Sequence, residues 1–325
     1  MTTVHTPPVA TSGSATTPAA APGRRSRRRP RRGWSAPYIL LIPAVLVLAA
    51  AMGYPLAWQI VTSLQEFGLA QQFGQPPEFV GLQNYIQLLT DSYTWAVVAR
   101  SLLFCLVCAS GTMAVGIALA VLMKRVHKVI RNILQIALLL AWAMPVVAAM
   151  TVWIWLFDWR RSIVNWLLTE AGLNFQGFNW LAAPLTFYLV AAVIVIWMSV
   201  PFVAFSVYAG LTQVSDEVLE AAQLDGATGW QRLVHIMIPM IRPVLAIVML
   251  LQVIWDLRVF TQIRLLQDVG SVPSETNLLG TYIHQLGTGS GDFGMSSAVS
   301  IFMLLLTLSI SWFYVRRMIR EDGAA

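Results

Sequence analysis

Charge is what this 325-residue sequence has least of. Asp, Glu, Lys and Arg together make 11% of it, against 57% hydrophobic residues. Soluble domains carry about 25% charged residues. So few charges do not coat a soluble body of this size, and lipid is the solvent in which apolar surface needs no cover. Lysine occurs only at Lys124 and Lys128, so the formal net charge of +6 is nearly all arginine. The basic residues sit in short clusters between apolar runs and form no broad stripe. That argues against a nucleic-acid surface and reads as a topology signal. Cysteine is confined to Cys105 and Cys108, spaced C-x-x-C. With no second Cys or His cluster, the pair reads as two small apolar side chains in a membrane helix, not a redox or metal site. The four histidines have no metal spacing. A G-x-x-x-x-G-K-[ST] phosphate loop is missing, so the chain alone is expected neither to bind nor to hydrolyse ATP. No catalytic, cofactor or metal-ligating residue is assigned.

Long apolar runs are what is present. About 20 apolar residues cross a hydrocarbon core. Six runs qualify: from about Ala36 to Leu64, Ser101 to Met123, Ile133 to Phe157, within Leu181 to Ser215, Pro243 to Ile263, and Met295 to Val315. Unpaired backbone is not tolerated in lipid and no barrel-like alternation exists, so all six are expected to be helices. The fold class is therefore all-α integral membrane with six transmembrane helices. Residues 1–33 form a basic tail whose first part, rich in Thr, Ala, Pro, Ser and Gly, is expected to be disordered. The run from Arg24 to Arg32 followed by apolar residues resembles a signal peptide. However, the apolar stretch continues past Tyr54-Pro55, so a retained first span is the reading adopted. The membrane domain is placed at residues 34–320 and a short end at 321–325.

Three basic clusters, Arg24 to Arg32, Lys124 to Arg131 and Arg316 to Arg320, fall on one side of a six-span chain. The positive-inside rule makes that side, and both termini, cytoplasmic. The segment of residues 212–240, between spans four and five, then faces the cytoplasm too. Ser215 is expected to cap a helix, with Asp216, Glu217 and Glu220 in its first turns and Glu217 placed to close a capping box. Gly226 permits a sharp turn. Trp230, Leu233, Val234 and Met237 recur at i, i+3, i+4 and i+7, which predicts a second amphipathic helix. Pro239 and Pro243 lead into span five.

Glu220-Ala221-Ala222, then Asp225-Gly226-Ala227, then Ile236-Met237-Ile238-Pro239 resemble the EAA loop of permease subunits of binding-protein-dependent ABC importers. Gly53-Tyr54-Pro55, Phe79-Val80-Gly81-Leu82-Gln83-Asn84-Tyr85 and Tyr208-Ala209-Gly210-Leu211-Thr212 look like the carbohydrate branch, related to maltose and glycerol-3-phosphate permeases. The resemblance covers most of the chain after about residue 36. It implies a coupling helix that docks on an ATPase subunit, with Glu220, Ala221, Ala222, Asp225, Gly226 and Pro239 as the coupling residues. It also implies a second permease subunit, two ATPase subunits that hold ATP and Mg, and an extracytoplasmic solute-binding protein. The implied setting is a bacterial plasma membrane. After span five the sequence departs from the family, reading Phe260-Thr261, Arg264-Leu265-Leu266-Gln267 and Gly270-Ser271-Val272-Pro273. The implied substrate is a di- or oligosaccharide, with glycerol-phosphate-type polyols as the alternative.

Within the spans, Asp256 and Arg258 are functional candidates because ionisable residues are costly in lipid. At i and i+2 they do not face one another. Ser199, Gln252 and Trp255 join them as candidates for a sugar path. The G-x-G-x-x-G string from Gly289 to Gly294 lacks the strand context of a dinucleotide site and is expected to be a flexible external turn. A self-sufficient secondary transporter would call for mid-span coupling charges and an internal repeat. Only Asp256 fits the first requirement, and no repeat is evident. A membrane-embedded enzyme would call for converging polar residues, which the sequence does not display.

Overall fold

The computed structural model describes residues 35–322. The tail of residues 1–33, its basic run included, and residues 323–325 lie outside the described residues. The chain divides at Tyr54/Pro55 into two units, taken separately below.

In the first unit a helix of Ser35–Leu48 contains Pro43 and passes into a widened π turn at Ala49–Gly53. Pro55 has no N–H to return to the carbonyl four residues back, and the widened turn sits where that bond is missing. The helical run Leu40–Ser63 is long and apolar enough to span, and none of its most apolar stretch is buried.

The second unit holds the remaining spans. Span two, Ser92–Arg125, starts nine residues before the apolar run predicted from Ser101. Asp91 explains the early start: its carboxylate accepts from the Tyr93 and Thr94 amides and from the Thr94 hydroxyl at 3.1, 2.9 and 2.7 Å. At 34 residues the helix is about 50 Å long, more than the hydrocarbon core. Span four, Pro184–Thr212, packs along it with Pro184 in its first turn. Small residues set their close approach. A Cβ at Gly116 would lie 2.5 Å from Cγ1 of Val203, and one at Gly111 would lie 2.5 Å from Cδ1 of Ile196.

Span three differs from expectation. The run from Ile133 to Phe157 is two helices, Lys128–Ala143 and Val146–Leu156, bent by 100°. Pro145 removes a helical donor and forces Met144 into extended backbone, with φ −69° and ψ 126°. Span five, Arg242–Gly270, is also interrupted. Its helix ends at Leu257, turns through Arg258 to Phe260, and resumes at Thr261–Gly270. Span six is a helix of Phe293–Asp322.

Between spans five and six the chain folds back through Pro273–Thr276 and Leu279–His284. Asn277 is the hub of this joint. Its side chain accepts from Gln267 and donates to the Tyr93 hydroxyl at 3.1 and 3.0 Å, and it pairs with Gln285. Ser101 of span two accepts from the Leu279 amide at 2.8 Å. The Gly289–Gly294 string is not the flexible turn expected. The Phe293 and Gly294 amides both donate to the Phe67 carbonyl, beside a short hairpin of Gln65–Glu66 and Glu78–Phe79. Gly291 has φ +72°, and a Cβ there would meet Leu69 at 2.5 Å. A Cβ on Gly294 would meet the Gln65 carbonyl at 2.5 Å. The glycines serve close packing, not a phosphate.

Candidate functional site

Span four ends at Thr212, and the chain leaves it for two short helices. The first, Asp216–Leu224, has no buried residue. Ser215 stands at its N-cap in extended backbone, but its side chain makes no capping bond, so the capping box expected there is not formed. The box is formed one helix later. The Thr228 hydroxyl accepts from the Gln231 amide, and the Gln231 side chain accepts from the Thr228 amide at 2.8 Å. That Thr-x-x-Gln spacing was legible in the sequence and was passed over for the acidic one. Gly226 joins the helices at φ +82°, a conformation that β-branched residues resist.

Glu220, Ala221, Asp225, Gly226 and Pro239 are exposed, and Ala222 is half-buried. Leu224 and Trp230 are 90% and 70% exposed, so the helix pair offers apolar as well as acidic surface. The predicted second amphipathic helix is shorter and less regular than expected. Gly229–Arg232 gives way to a widened turn at Leu233–Met237, again just before a proline, Pro239. Leu233 is buried and Val234 and Met237 are half-buried, but Trp230 faces out.

Two cations that sequence reasoning did not single out act here, one within the loop and one at the end of span four from which the loop leaves. Arg232 reaches back to the Gln223 side chain at 3.1 Å and to the Leu219 carbonyl at 3.4 Å. Lys124, at the end of span two, donates to the Leu211 carbonyl at 2.9 Å, where the last carbonyls of span four carry the negative end of its dipole. A cleft of about 380 Å³ under the second short helix is lined by Lys124, Arg125, Leu219 and Trp230 among others. The loop is thus an exposed acidic and apolar knob tied to the ends of two spans.

The five path candidates separate. Gln252 and Asp256, one turn apart on span five, are buried and joined by a 2.9 Å hydrogen bond from the Gln252 amide. The Gln252 amide oxygen and the second carboxyl oxygen of Asp256 have no donor among the described residues. The Cys105 thiol faces the same helix, donating to the Val253 carbonyl at 3.6 Å. Both cysteines are free and buried, as the apolar reading holds. Trp255 is half-exposed and lies edge-on to Phe202 at 5.0 Å. Arg258 is exposed at the helix break, and Ser199 is half-buried on span four. The structure therefore brings together Gln252 and Asp256 and leaves the other three apart from them. Among the described residues no group of His, Cys, Asp or Glu is arranged to hold a metal.

Residues 112–316 match the family of binding-protein-dependent transport system inner membrane components. The chain belongs to that family. The matched stretch runs from span two to span six and contains the knob between spans four and five. The permease is 37% identical over 301 residues to the diacetylchitobiose uptake permease of Streptomyces coelicolor, covering 92% of each chain. It is 27% identical over 281 residues to the trehalose/maltose permease of Thermococcus litoralis, covering 86% of this chain and 92% of that one. It also superposes on a chain of a bacterial ABC transporter involved in the import of alginate, with a TM-score of 0.74. That match covers 87% of this permease and 94% of the other chain at 23% identity, and it establishes the fold.

Proposed function

We propose that this permease forms half of the membrane pathway of an ATP-driven sugar importer. It lies in the bacterial plasma membrane with the knob and both chain ends in the cytoplasm. The observation that carries the reading is the helix Asp216–Leu224: a short helix that presents Glu220 and Ala221, turns only Leu219 and Ala222 inward, and is held by Arg232 of the second short helix. Its other side chains are left exposed by this chain, Leu224 at 90%, and that acidic and apolar surface is suited to docking on another. Its occupant is an ATPase subunit, two of which bind ATP and Mg. The residues in contact are Glu220, Ala221, Ala222, Asp225 and Gly226, with Pro239 setting the return into span five.

A second permease subunit completes the pathway, and an external solute-binding protein delivers the substrate. Closure of the ATPase pair pulls on the knob, and that motion passes along the chain to span four, which Lys124 joins to span two. The substrate class is a di- or oligosaccharide, supported by relatives named for diacetylchitobiose and for trehalose/maltose uptake. A relative named for sulfoquinovosyl glycerol transport keeps a charged glyceryl glycoside as the second candidate. Ser199, Trp255 and Arg258, which retain exposed surface, are the better placed of the five for a path between two permeases. Gln252 and Asp256 are inside this chain's own bundle.

The test is uptake of labelled disaccharides by proteoliposomes holding the assembled transporter and its binding protein. ATP-dependent uptake of one of them, competed by the unlabelled sugar, is expected. Uptake that persists with the purified permease alone, without ATPase subunits, would overturn the reading in favour of a secondary transporter.

A further inference from the structure

At the end of the bundle from which residues 212–240 extend, spans five and six enclose a cleft of about 400 Å³. Its walls have two characters. Met113, Leu245, Ala246, Met249 and Phe313 make an apolar floor along the spans. Arg242, Arg317 and Tyr314 supply its polar lining. Both arginine side chains are exposed, and among the described residues lining the cleft there is no carboxylate.

Arg242 opens the helix Arg242–Leu257. A cation there faces the positive end of the helix dipole, which favours an anion. The first N–H groups of that helix add donors at the same place. Arg316 and Arg320 lie on the last turns of span six, followed in the sequence by Glu321 and Asp322. The cleft thus asks for a ligand that is anionic at one end and apolar at the other, at the depth where two membrane spans leave the bilayer.

We propose that this cleft binds an anionic phospholipid. Its phosphate lies between Arg242 and Arg317, and the upper part of one acyl chain lies against Met249 and Phe313. A planar guanidinium grips phosphate oxygens with paired N–H bonds. Arg242 and Arg317 also have partners within the protein, but a guanidinium carries five N–H donors, so one partner and a phosphate are served together. Basic pockets between spans at the membrane surface are a known physical solution for anionic headgroups. The volume is within the range of sites that enclose a small ligand portion. The site does not depend on what the importer carries.

The test uses the full chain, purified with its partner subunits, in nanodiscs of phosphatidylcholine alone or with added phosphatidylglycerol. Native mass spectrometry counts phosphatidylglycerol retained after gentle delipidation, and thermal unfolding is followed in parallel. The wild type is expected to retain phosphatidylglycerol selectively and to unfold at higher temperature when it is present. The double variant Arg242→Gln/Arg317→Gln is expected to lose retention by about tenfold or more and to gain no unfolding temperature when phosphatidylglycerol is added, measured against its own value in phosphatidylcholine. Met249→Trp, which fills the floor and leaves both charges, is expected to lose retention as well. Free glycerol phosphate is expected to have no effect, because it lacks the chain. Equal retention by wild type and both variants would overturn the proposal. So would loss of the second permease subunit from the double variant in phosphatidylcholine, since it would assign the cleft to that protein.

Discussion

At the residue scale, single atoms decide how close the spans lie. Gly116 has Val203 where its Cβ would be, so Gly116→Leu overpacks the contact between spans two and four. Such overpacking costs about 1–3 kcal/mol. A thermal unfolding series in detergent is expected to place it well below Gly53→Ala, which has open space around it. Gln252→Leu, close in volume, removes the only donor to the buried Asp256 carboxyl found among the described residues, at a cost of about 1–3 kcal/mol.

Asp91 is the residue whose protonation reaches a span. Partial burial pushes its carboxyl up, but the bonds from the Thr94 hydroxyl and the Thr94 and Tyr93 amides more than offset this and hold it below the usual carboxylate value. A depressed folded value means that the stabilisation is present above the unfolded value, near 4, and is lost as pH falls through the folded one. Asp91→Ala is expected to lower stability by about 1 kcal/mol at neutral pH and to flatten the acid limb of the stability profile. An acid limb identical to that of the wild type would contradict the capping role.

At the element scale, the two short helices depend on turn chemistry more than on burial. Thr228→Ala removes half of the capping box and is expected to loosen the second helix by about 1 kcal/mol, seen as faster amide exchange at residues 229–233. Gly226→Val places a β-branched residue at φ +82°, whereas Gly226→Asn is tolerated there. The Val variant is therefore expected to lose ATPase subunits on purification and the Asn variant to keep them, with membrane insertion equal in both.

Much of this scale was legible beforehand. Apolar run length placed five of the six spans because hydrophobic thickness is a one-dimensional quantity that a sequence displays directly. Pro145 and its effect on Met144 were on the page too, but run length alone does not register a bend. The broken third span was missed for that reason. The Gly289–Gly294 string was misread because its purpose, close approach to Gln65 and Leu69, depends on partners more than 200 residues away in sequence. Lys124 was hidden because its bond to Leu211 exists only once spans two and four are side by side, and a basic residue at a span end looks the same whether it marks topology or joins two spans. Arg232 meets Gln223 only through the turn between the two short helices, which spacing alone does not display.

At the largest scale, the unit from Pro55 onward is a bundle with the exposed helix Asp216–Leu224 between spans four and five and a polar joint centred on Asn277 between spans five and six. The family match covers the bundle and the knob together, which ties the membrane fold to a transport system. In the proposed mechanism, motion applied at the knob reaches span four and passes through Lys124 to span two, which packs closely on span four at Gly111 and Gly116. Lys124→Met is accordingly expected to leave ATPase subunits bound but to reduce ATP-dependent uptake several-fold, checked by comparing copurification with transport. Loss of both together would place Lys124 in docking instead of transmission.

The central claim is that the helix Asp216–Leu224 lies in the cytoplasm under an ATPase subunit. Ala221→Cys tests it most directly, because Ala221 is exposed while the native Cys105 and Cys108 are buried. A membrane-impermeant maleimide is expected to label Cys at position 221 only after cells are permeabilised, and labelling is expected to fall sharply when the ATPase subunits are coexpressed. Labelling from outside intact cells, or labelling indifferent to the ATPase subunits, would contradict the account.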